Sequence, residues 1–260
     1  MNLSNEYRPQ SGWRAWPKIL DALPPVRGQV VLDVGCAVGA QAAEFVARGA
    51  RVIGVDIDDK LIEEARSRKL PGADFRQADL RTLPDLGVMA DGLWCSFSAA
   101  YFPDLPTALT AWSRNLRPGG WIALTEIDDL FGHEPLSPRA KGLLDAYAHD
   151  ALAAKRYDFH MGRKLKDHLE RSGFQVSSVL TVVDQELSFD GPAQPEVIDA
   201  WRNRFDRMTL LRRFCGDDFE NVREEFLLCL RSADHRSVAK VYCCLARKCG
   251  ADKAGVQPNA

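Results

Sequence analysis

VLDVGCAVG, Val31 to Gly39, is the stretch on which the reading of this chain turns. A short β-branched run reads as a strand and feeds directly into Gly35 and Gly39, ahead of a helix expected over Gln41 to Arg48. Glycine there lets the backbone turn sharply and approach a ligand closely. The amides that open the following helix can receive a carboxylate or phosphate. Asp33 stands two residues before the first glycine, at the strand end, where a carboxylate can accept hydrogen bonds from a cationic amine. In the next strand, RVIGVDI (Arg51 to Ile57), comes Asp56, 23 residues after Asp33. That is the spacing at which an acid meets the ribose hydroxyls of an adenosine lying across a parallel sheet.

Outward from this centre, apolar runs alternate with amphipathic segments in the rhythm of βαβ units. Strands are expected at Val30 to Val34, Arg51 to Ile57, Ala73 to Ala78, Gly92 to Phe97 and Trp121 to Ile127. Leu105, Ala108, Leu109, Trp112 and Leu116 mark a helix bounded by Pro106 and by Pro118, Gly119 and Gly120. After Asp128 the pattern changes. Ser137 and Pro138 read as N-cap and first residue of a helix to about Lys155, and a second helix, Arg163 to Ser172, ends at Gly173. A strand over Phe174 to Leu187, helices over Val197 to Arg213 and Phe219 to Leu230, and a strand over Ser237 to Arg247 complete the chain. The expectation is an α/β fold of one domain over residues 1–247. It is a doubly wound, Rossmann-like, mostly parallel sheet, with helical insertions at about 134–160 and 192–232 after strands five and six. Residues 248–260 are polar and are expected to be a disordered tail.

The 260 residues are 46% apolar and 27% charged, an ordinary globular composition, and 34 Lys and Arg against 36 Asp and Glu leave a net charge of -2. No bulk positive field favours nucleic acid or an anionic membrane. Seven scattered cysteines without a secretory leader point to a reducing compartment, and no run of about 18 apolar residues occurs. A soluble, cytoplasmic protein is expected. Cys36 and Cys95 read as small core residues. Cys243, Cys244 and Cys249 make a poor zinc site, because adjacent strand residues point to opposite faces.

Two cofactor families share the strand, glycine turn and distal acid. A nicotinamide dinucleotide needs a middle glycine against its pyrophosphate, where this chain has Ala37 followed by Val38. An acid two residues before the first glycine suits a ligand with an amino group and no pyrophosphate. VLDVGCAVG, VIGVDI, FRQADLRTLP (Phe75 to Pro84), DGLWCSFSAAYF (Asp91 to Phe102) and LRPGGWIALTEID (Leu116 to Asp128), in this order, resemble the motifs of class I S-adenosylmethionine-dependent methyltransferases. The type is the small-molecule one, similar to ubiquinone biosynthesis enzymes. The resemblance is close over about Val30 to Asp128 and architectural beyond. It implies a seven-stranded sheet whose last strand is antiparallel. It further implies S-adenosyl-L-methionine as cofactor, with Asp33, Gly35, Cys36 and Gly39 at the methionine end, Asp56 and Ile57 at the ribose, Asp79 and Leu80 at the adenine, and Ser96 and Phe97 under the sulfonium. Ala37 departs from the pattern's middle glycine, and its methyl narrows the methionine end.

The expected activity is in-line transfer of methyl to an O, N or C nucleophile of a small-molecule acceptor. An RNA or protein methyltransferase, or a non-catalytic cofactor-binding subunit of the same fold, is the alternative. Against nucleobase methylation, the fourth strand ends in CSFSAAYF and lacks an Asn-Pro-Pro-Tyr type of motif. His133, His160 and Tyr157 are the candidate catalytic groups, Tyr101, Tyr147 and His149 the candidate acceptor contacts, and Arg14 a candidate for the cofactor carboxylate. Asp128, Asp129 and His133 read as a polar loop rather than a metal site. The acceptor pocket is expected at the ends of strands four and five, roofed by the two insertions.

Overall fold

The structure, a computed structural model, describes residues 12–250. Five parallel strands, β1 (Val30–Val34), β2 (Arg51–Asp56), β3 (Ala73–Gln77), β4 (Ala90–Ser96) and β5 (Leu116–Asp128), join β7 (Phe174–Val182) and β9 (Lys240–Lys248) in the order β3-β2-β1-β4-β5-β9-β7. β9 runs antiparallel to both of its neighbours. This is the expected seven-stranded sheet. The central strands are apolar on both faces because both faces are covered: in β4, Leu93 and Cys95 enter one core and Trp94 the other. Helices α2 (Ala40–Ala47), α3 (Asp59–Ser67) and α4 (Leu105–Ser113) are the crossovers, and α6 (Met161–Arg171) buries Met161, Leu165 and Leu169 at i, i+4 spacing against β5, β7 and β9. A short helix, α1 (Trp16–Asp21), precedes β1 and buries Trp16, Ile19 and Leu20.

Beyond the sheet lies a roof made from both insertions together. Its parts are β6 (His133–Glu134), α5 (Pro138–Ala153), α7 (Pro195–Arg207), α8 (Thr209–Cys215), α9 (Phe219–Arg231) and β8 (Arg236–Ser237), which pairs with β6. Ser137 caps α5 as expected, its Oγ accepting from Ala140 N. Phe226 on α9 gathers the rings of Trp201 and Phe205 from α7 and of Phe131 from the loop after β5, at centroid separations of 4.8, 5.1 and 6.3 Å. These aromatics belong to the same core that covers one face of the sheet.

Four boundaries differ from the sequence reading for local reasons. Leu116 is the first residue of β5 rather than the last of α4, because buried Asn115 stops the helix by bonding Leu86 N and Pro84 O. The strand from Phe174 ends at Val182, not Leu187. Asp184 Oδ1 accepts from Glu186 N and Leu187 N and closes a tight turn there. The helix expected over Val197 to Arg213 breaks at Met208, whose ψ of 62° leaves the helical region, so Leu211 and Cys215 reach the core out of phase with Phe205. The last strand begins at Lys240 and includes Lys248, whose Nζ donates to Ser113 O and Leu116 O, so the expected tail starts later than 248. Residues 251–260 of that tail lie outside the described residues. Among the described residues, no helix is long and apolar enough to cross a membrane.

The closest approach in the sheet is Gly92 to Trp121, whose Nε1 donates to Gln29 Oε1 at 2.8 Å. A methyl on Gly92 would fall within the indole. Gly92→Ala is expected to destabilise by about 1–3 kcal/mol or more through overpacking. Gly142→Ala, at an exposed position of α5 with no atom near the added methyl, is expected to stabilise by about 0.5–1 kcal/mol. Urea unfolding of both variants reads the two signs.

Candidate active site

The β1–α2 loop walls a cleft of about 450 Å³ at the carboxyl ends of the parallel strands. Gly35, at φ 78°, turns the chain out of β1, and a methyl there would collide with the Ser98 side chain. Gly35 N and Cys36 N both donate to Val55 O, at 2.8 and 3.1 Å. Ala37 N donates to Asp56 Oδ2 at 2.9 Å, and Asp58 N to Asp56 Oδ1 at 3.0 Å. Each Asp56 oxygen thus keeps a lone pair for a donor arriving in the cleft. Ala37 sits at φ 44° on the cleft wall, a left-handed conformation that costs a residue with a Cβ about 1–2 kcal/mol.

The cleft brings together Arg14, Gly35, Cys36, Asp56, Ile57, Asp79, Leu80, Ser96, Phe97 and Tyr101 from among the residues singled out in the sequence. Burial, with the nearby Asp33 and Asp56 charges, holds the Cys36 thiol far above its usual range, so it stays protonated. Hydrogen bonds from Arg81 lower the Asp79 pKa, Nη2 lying 2.8 Å from its carboxylate. Trp16, Val38, Gln41, Asp58, Leu61, Arg81, Ser98 and Phe102 also line the cleft. Of these, Asp58 carried a readable signal: it caps α3, its Oδ1 accepting from Lys60 N and Leu61 N.

Two expected contacts lie behind the wall instead. Gly39 caps α2 at φ 74°, and a Cβ there would come 2.7 Å from the Phe75 ring, so packing dictates this glycine. Asp33 is 1% exposed, and its Oδ2 has no hydrogen-bond partner among the described residues. Burial first, and then the Asp56 charge, raise its pKa to about 8.

Most of the acceptor-side expectations need correction. β6 carries His133 into the roof base, where Nδ1 lies 2.9 Å from His235 Nε2 among Trp201 and Phe226, away from the cleft. Burial and the neighbouring His235 lower its pKa to about 3. Asp128 goes elsewhere, to Arg163 Nε at 2.6 Å, so the run Asp128, Asp129, His133 does not converge. His160 precedes α6 with Nδ1 3.7 Å from Asp128 Oδ1, too long for a hydrogen bond, and it does not line the cleft. Tyr147 is buried between Phe159 and Phe214, and His149 is exposed with Nδ1 on Asp145 O. Tyr157 stands one ring behind the cleft, edge-on to Tyr101 at 4.9 Å. No cleft-lining residue comes from 134–160 or 192–232, so the roof meets the cleft only through intermediaries.

The sequence reading missed one of these intermediaries. Glu126, fully buried in β5, accepts from Ala100 N and Ile127 N, and burial raises its pKa to about 7. A lone charge inside the apolar run WIALTEI was the available signal. Arg14 was expected at a cofactor carboxylate. It lines the cleft over the Phe97 ring, but its Nη1 and Nη2 are taken by Asp184 and Glu186, at 2.8 and 2.6 Å. Glu186 also binds Arg204 Nη2 from α7.

Residues 31–120 match the family described as a methyltransferase domain. The chain is 29% identical to a ubiquinone biosynthesis O-methyltransferase of Paracidovorax citrulli over 139 residues, 49% of this chain and 56% of that protein. It is 36% identical to the nocamycin O-methyltransferase of Saccharothrix syringae over 153 residues, 53% of this chain and 52% of that protein. The chain thus spans about half the length of these curated relatives. Its fold is similar to that of an S-adenosylmethionine-dependent methyltransferase from Mesorhizobium loti, with a TM-score of 0.55 at 20% identity over 90% of this chain and 97% of that one.

The buried pair of arginines on Glu186 makes a stability prediction. Burial alone would raise the Glu186 pKa, but the charges of Arg204 and Arg14 outweigh it and hold it at about 2. A carboxylate whose folded pKa lies below its unfolded value stabilises the fold above that unfolded value, and the contribution is lost as pH falls toward 2. Glu186→Ala is expected to cost about 3–5 kcal/mol at neutral pH, since the Arg204 guanidinium loses the acid it is bonded to and Arg14 keeps only Asp184. Glu186→Gln should show a shallower acid limb than the parent in urea unfolding between pH 5 and 2. An unaltered limb would mean the acid sensitivity arises elsewhere.

Proposed function

We propose that this chain, whose residues 31–120 belong to the methyltransferase domain family, transfers methyl from S-adenosyl-L-methionine to an O, N or C nucleophile of a small molecule. The observation that carries the reading is Asp56, fixed at the cleft wall by the Ala37 and Asp58 amides with lone pairs to spare. That geometry suits the two hydroxyls of a ribose. The unpartnered Asp33 carboxyl behind the glycine loop supports it, because a buried acid without a donor suits an arriving ammonium. Both named relatives are O-methyltransferases, which favours oxygen among the three acceptor atoms.

S-adenosylmethionine, when bound, supplies a methyl group on a sulfonium that needs no further activation. This chain's residues would do the rest. Asp33 would hold the amino group and Asp56 with Ile57 the ribose, with Leu80 against the adenine and Asp79 toward its exocyclic amine. Phe97 and Ser96 form the floor at the end of β4. Alignment and exclusion of water then account for most of the rate enhancement.

Two measurements test the reading. Asp56→Ala is expected to weaken S-adenosylhomocysteine binding about 10- to 150-fold by calorimetry, the usual worth of hydrogen bonds to a charged group. Unaltered affinity in a folded variant would remove Asp56 from the site. The second concerns pH. With its pKa near 8 in the ligand-free protein, Asp33 holds a proton that an ammonium must displace. Affinity should therefore rise between pH 6 and 8, by up to about 10-fold per unit, and Asp33→Asn should flatten that rise. A flat profile in the parent protein would exclude Asp33 as the partner of the amine.

A further inference from the structure

One turn of the cleft wall is held from behind by a buried acid. Ser98, Tyr101 and Phe102 line the cleft, while Ala99 and Ala100 between them are fully buried, so their backbone groups must find partners in the protein. Within the turn, Tyr101 N donates to Ser98 O and Phe102 N to Ala99 O. Both polar atoms of Ala100 are bonded outside it. Ala100 N donates to Glu126 Oε2 at 3.1 Å, and Ala100 O accepts from Asp158 N at 2.9 Å. Asp158 is itself fixed, with Oδ1 on His160 N and Oδ2 on Lys164 Nζ. Glu126 is the second anchor, fully buried in β5, and its other oxygen accepts from Ile127 N at 3.0 Å.

The other side of the turn rests on the loop after β1. A methyl added to Gly35 would lie 2.2 Å from Ser98 Oγ and 2.9 Å from Ser98 Cβ, so the serine side chain is seated directly on that glycine. Any shift of the turn therefore moves Ser98 relative to Gly35, where the chain leaves β1. Asp56 takes its bonds from the Ala37 and Asp58 amides, which are not part of this turn. Serving two amides with two oxygens requires a carboxylate. A glutamine of the same shape has one acceptor oxygen, so one of the two amides would face its NH2 group. Stability does not call for the charge. Burial pushes the Glu126 acid up to about 7, so its ionised form is unfavourable in the fold above that pH. A charge kept against that penalty points to a role in the site.

We propose that Glu126 is a positioning residue for the amino-acid end of the cofactor, acting through the Ala100 amide to keep Ser98 seated on Gly35. This rests on reading the cleft as an S-adenosylmethionine site. The adenosine end, on Asp56, is outside the reach of this clamp.

The test titrates two probes by calorimetry into the full chain at about pH 8, where Glu126 is ionised. They are S-adenosylhomocysteine and methylthioadenosine, which keeps the adenosine and the sulfur and lacks the amino-acid end. Glu126→Gln is expected to lower S-adenosylhomocysteine affinity about 10-fold. Methylthioadenosine affinity should stay within about twofold, and the thermal transition within about 4 °C of the parent. A residue that only held the fold together would lower the transition and leave both affinities unaltered. Ser98→Gly, a change at the cleft surface, should give the same split between the probes and decides the matter if Glu126→Gln does not fold. Where both fold, the double variant should lose little more than the larger single loss, because the two residues act in series. Unaltered S-adenosylhomocysteine affinity in folded Glu126→Gln or in Ser98→Gly, equal losses for the two probes, or additive losses in the double variant overturns the proposal. The parent protein separates the two levels. If it binds S-adenosylhomocysteine and the variants show no split, only this inference fails; if it does not, the cofactor reading fails with it.

Discussion

The hydrogen bond from Ala37 N to Asp56 Oδ2 is the contact on which the functional end of this fold depends. It ties the loop after β1 to the end of β2, and so fixes where α2 begins and how wide the cleft is. Val55 O assists by accepting from both Gly35 N and Cys36 N. The loop is kept in a conformation that costs energy at Ala37, and such strain persists only where the surroundings over-determine it. Here the surroundings are a charged acceptor on one side and the packed Gly39–Phe75 contact on the other. Asp56 consequently has a structural duty in the ligand-free protein and a binding duty in the proposed complex, served by different lone pairs of the same two oxygens.

Buried acids divide between two physical regimes. Glu186 is ionised because two guanidinium groups flank it, whereas Asp33 and Glu126 have no cation in contact among the described residues and are pushed toward their neutral forms. The first kind holds elements together. Glu186 links the segment before α1 to α7. The second kind is a poised charge, unfavourable until a cation or a proton donor arrives, and both examples lie at strand ends beside the cleft. Position in the fold therefore decides what a buried carboxylate does, and residue type alone does not.

That distinction explains how much could be read from the sequence. Strands β1 to β5 were legible because each is a short apolar run closed by Gly, Pro or Asp, and the period-2 and period-3.6 patterns differ clearly there. Gly35, Cys36, Asp56, Ile57, Ser96 and Phe97 were placed on the cleft for the same reason, since each sits at a fixed offset from a strand end. His133 misled because a histidine just after β5 has the same local sequence whether the chain turns into the cleft or into the roof. The turn is decided by pairing of β6 with β8, more than 100 residues away. The Arg14–Glu186–Arg204 cluster was illegible for the same reason, since Arg14 and Arg204 reach Glu186 only once the segments that carry them have packed. Glu126 showed as a lone charge in an apolar run, but its partner, the Ala100 amide, did not. Met208 shows the limit of periodicity itself, since a one-residue change of phase within an apolar pattern reads as a continuous helix.

The roof's indirect contact with the cleft carries a consequence for specificity. No residue of 134–160 or 192–232 lines the cleft, so the insertions can change without disturbing the Asp56 contacts, and the two tasks are physically separable. They are joined by the edge-on rings of Tyr101 and Tyr157, and by the carboxylate of Glu186 shared by Arg14 and Arg204. Arg14 stacks over Phe97 on the cleft floor while Arg204 stacks on Trp201 in the roof. The Glu186 carboxylate therefore ties the segment that covers Phe97 to the roof helix that carries Trp201.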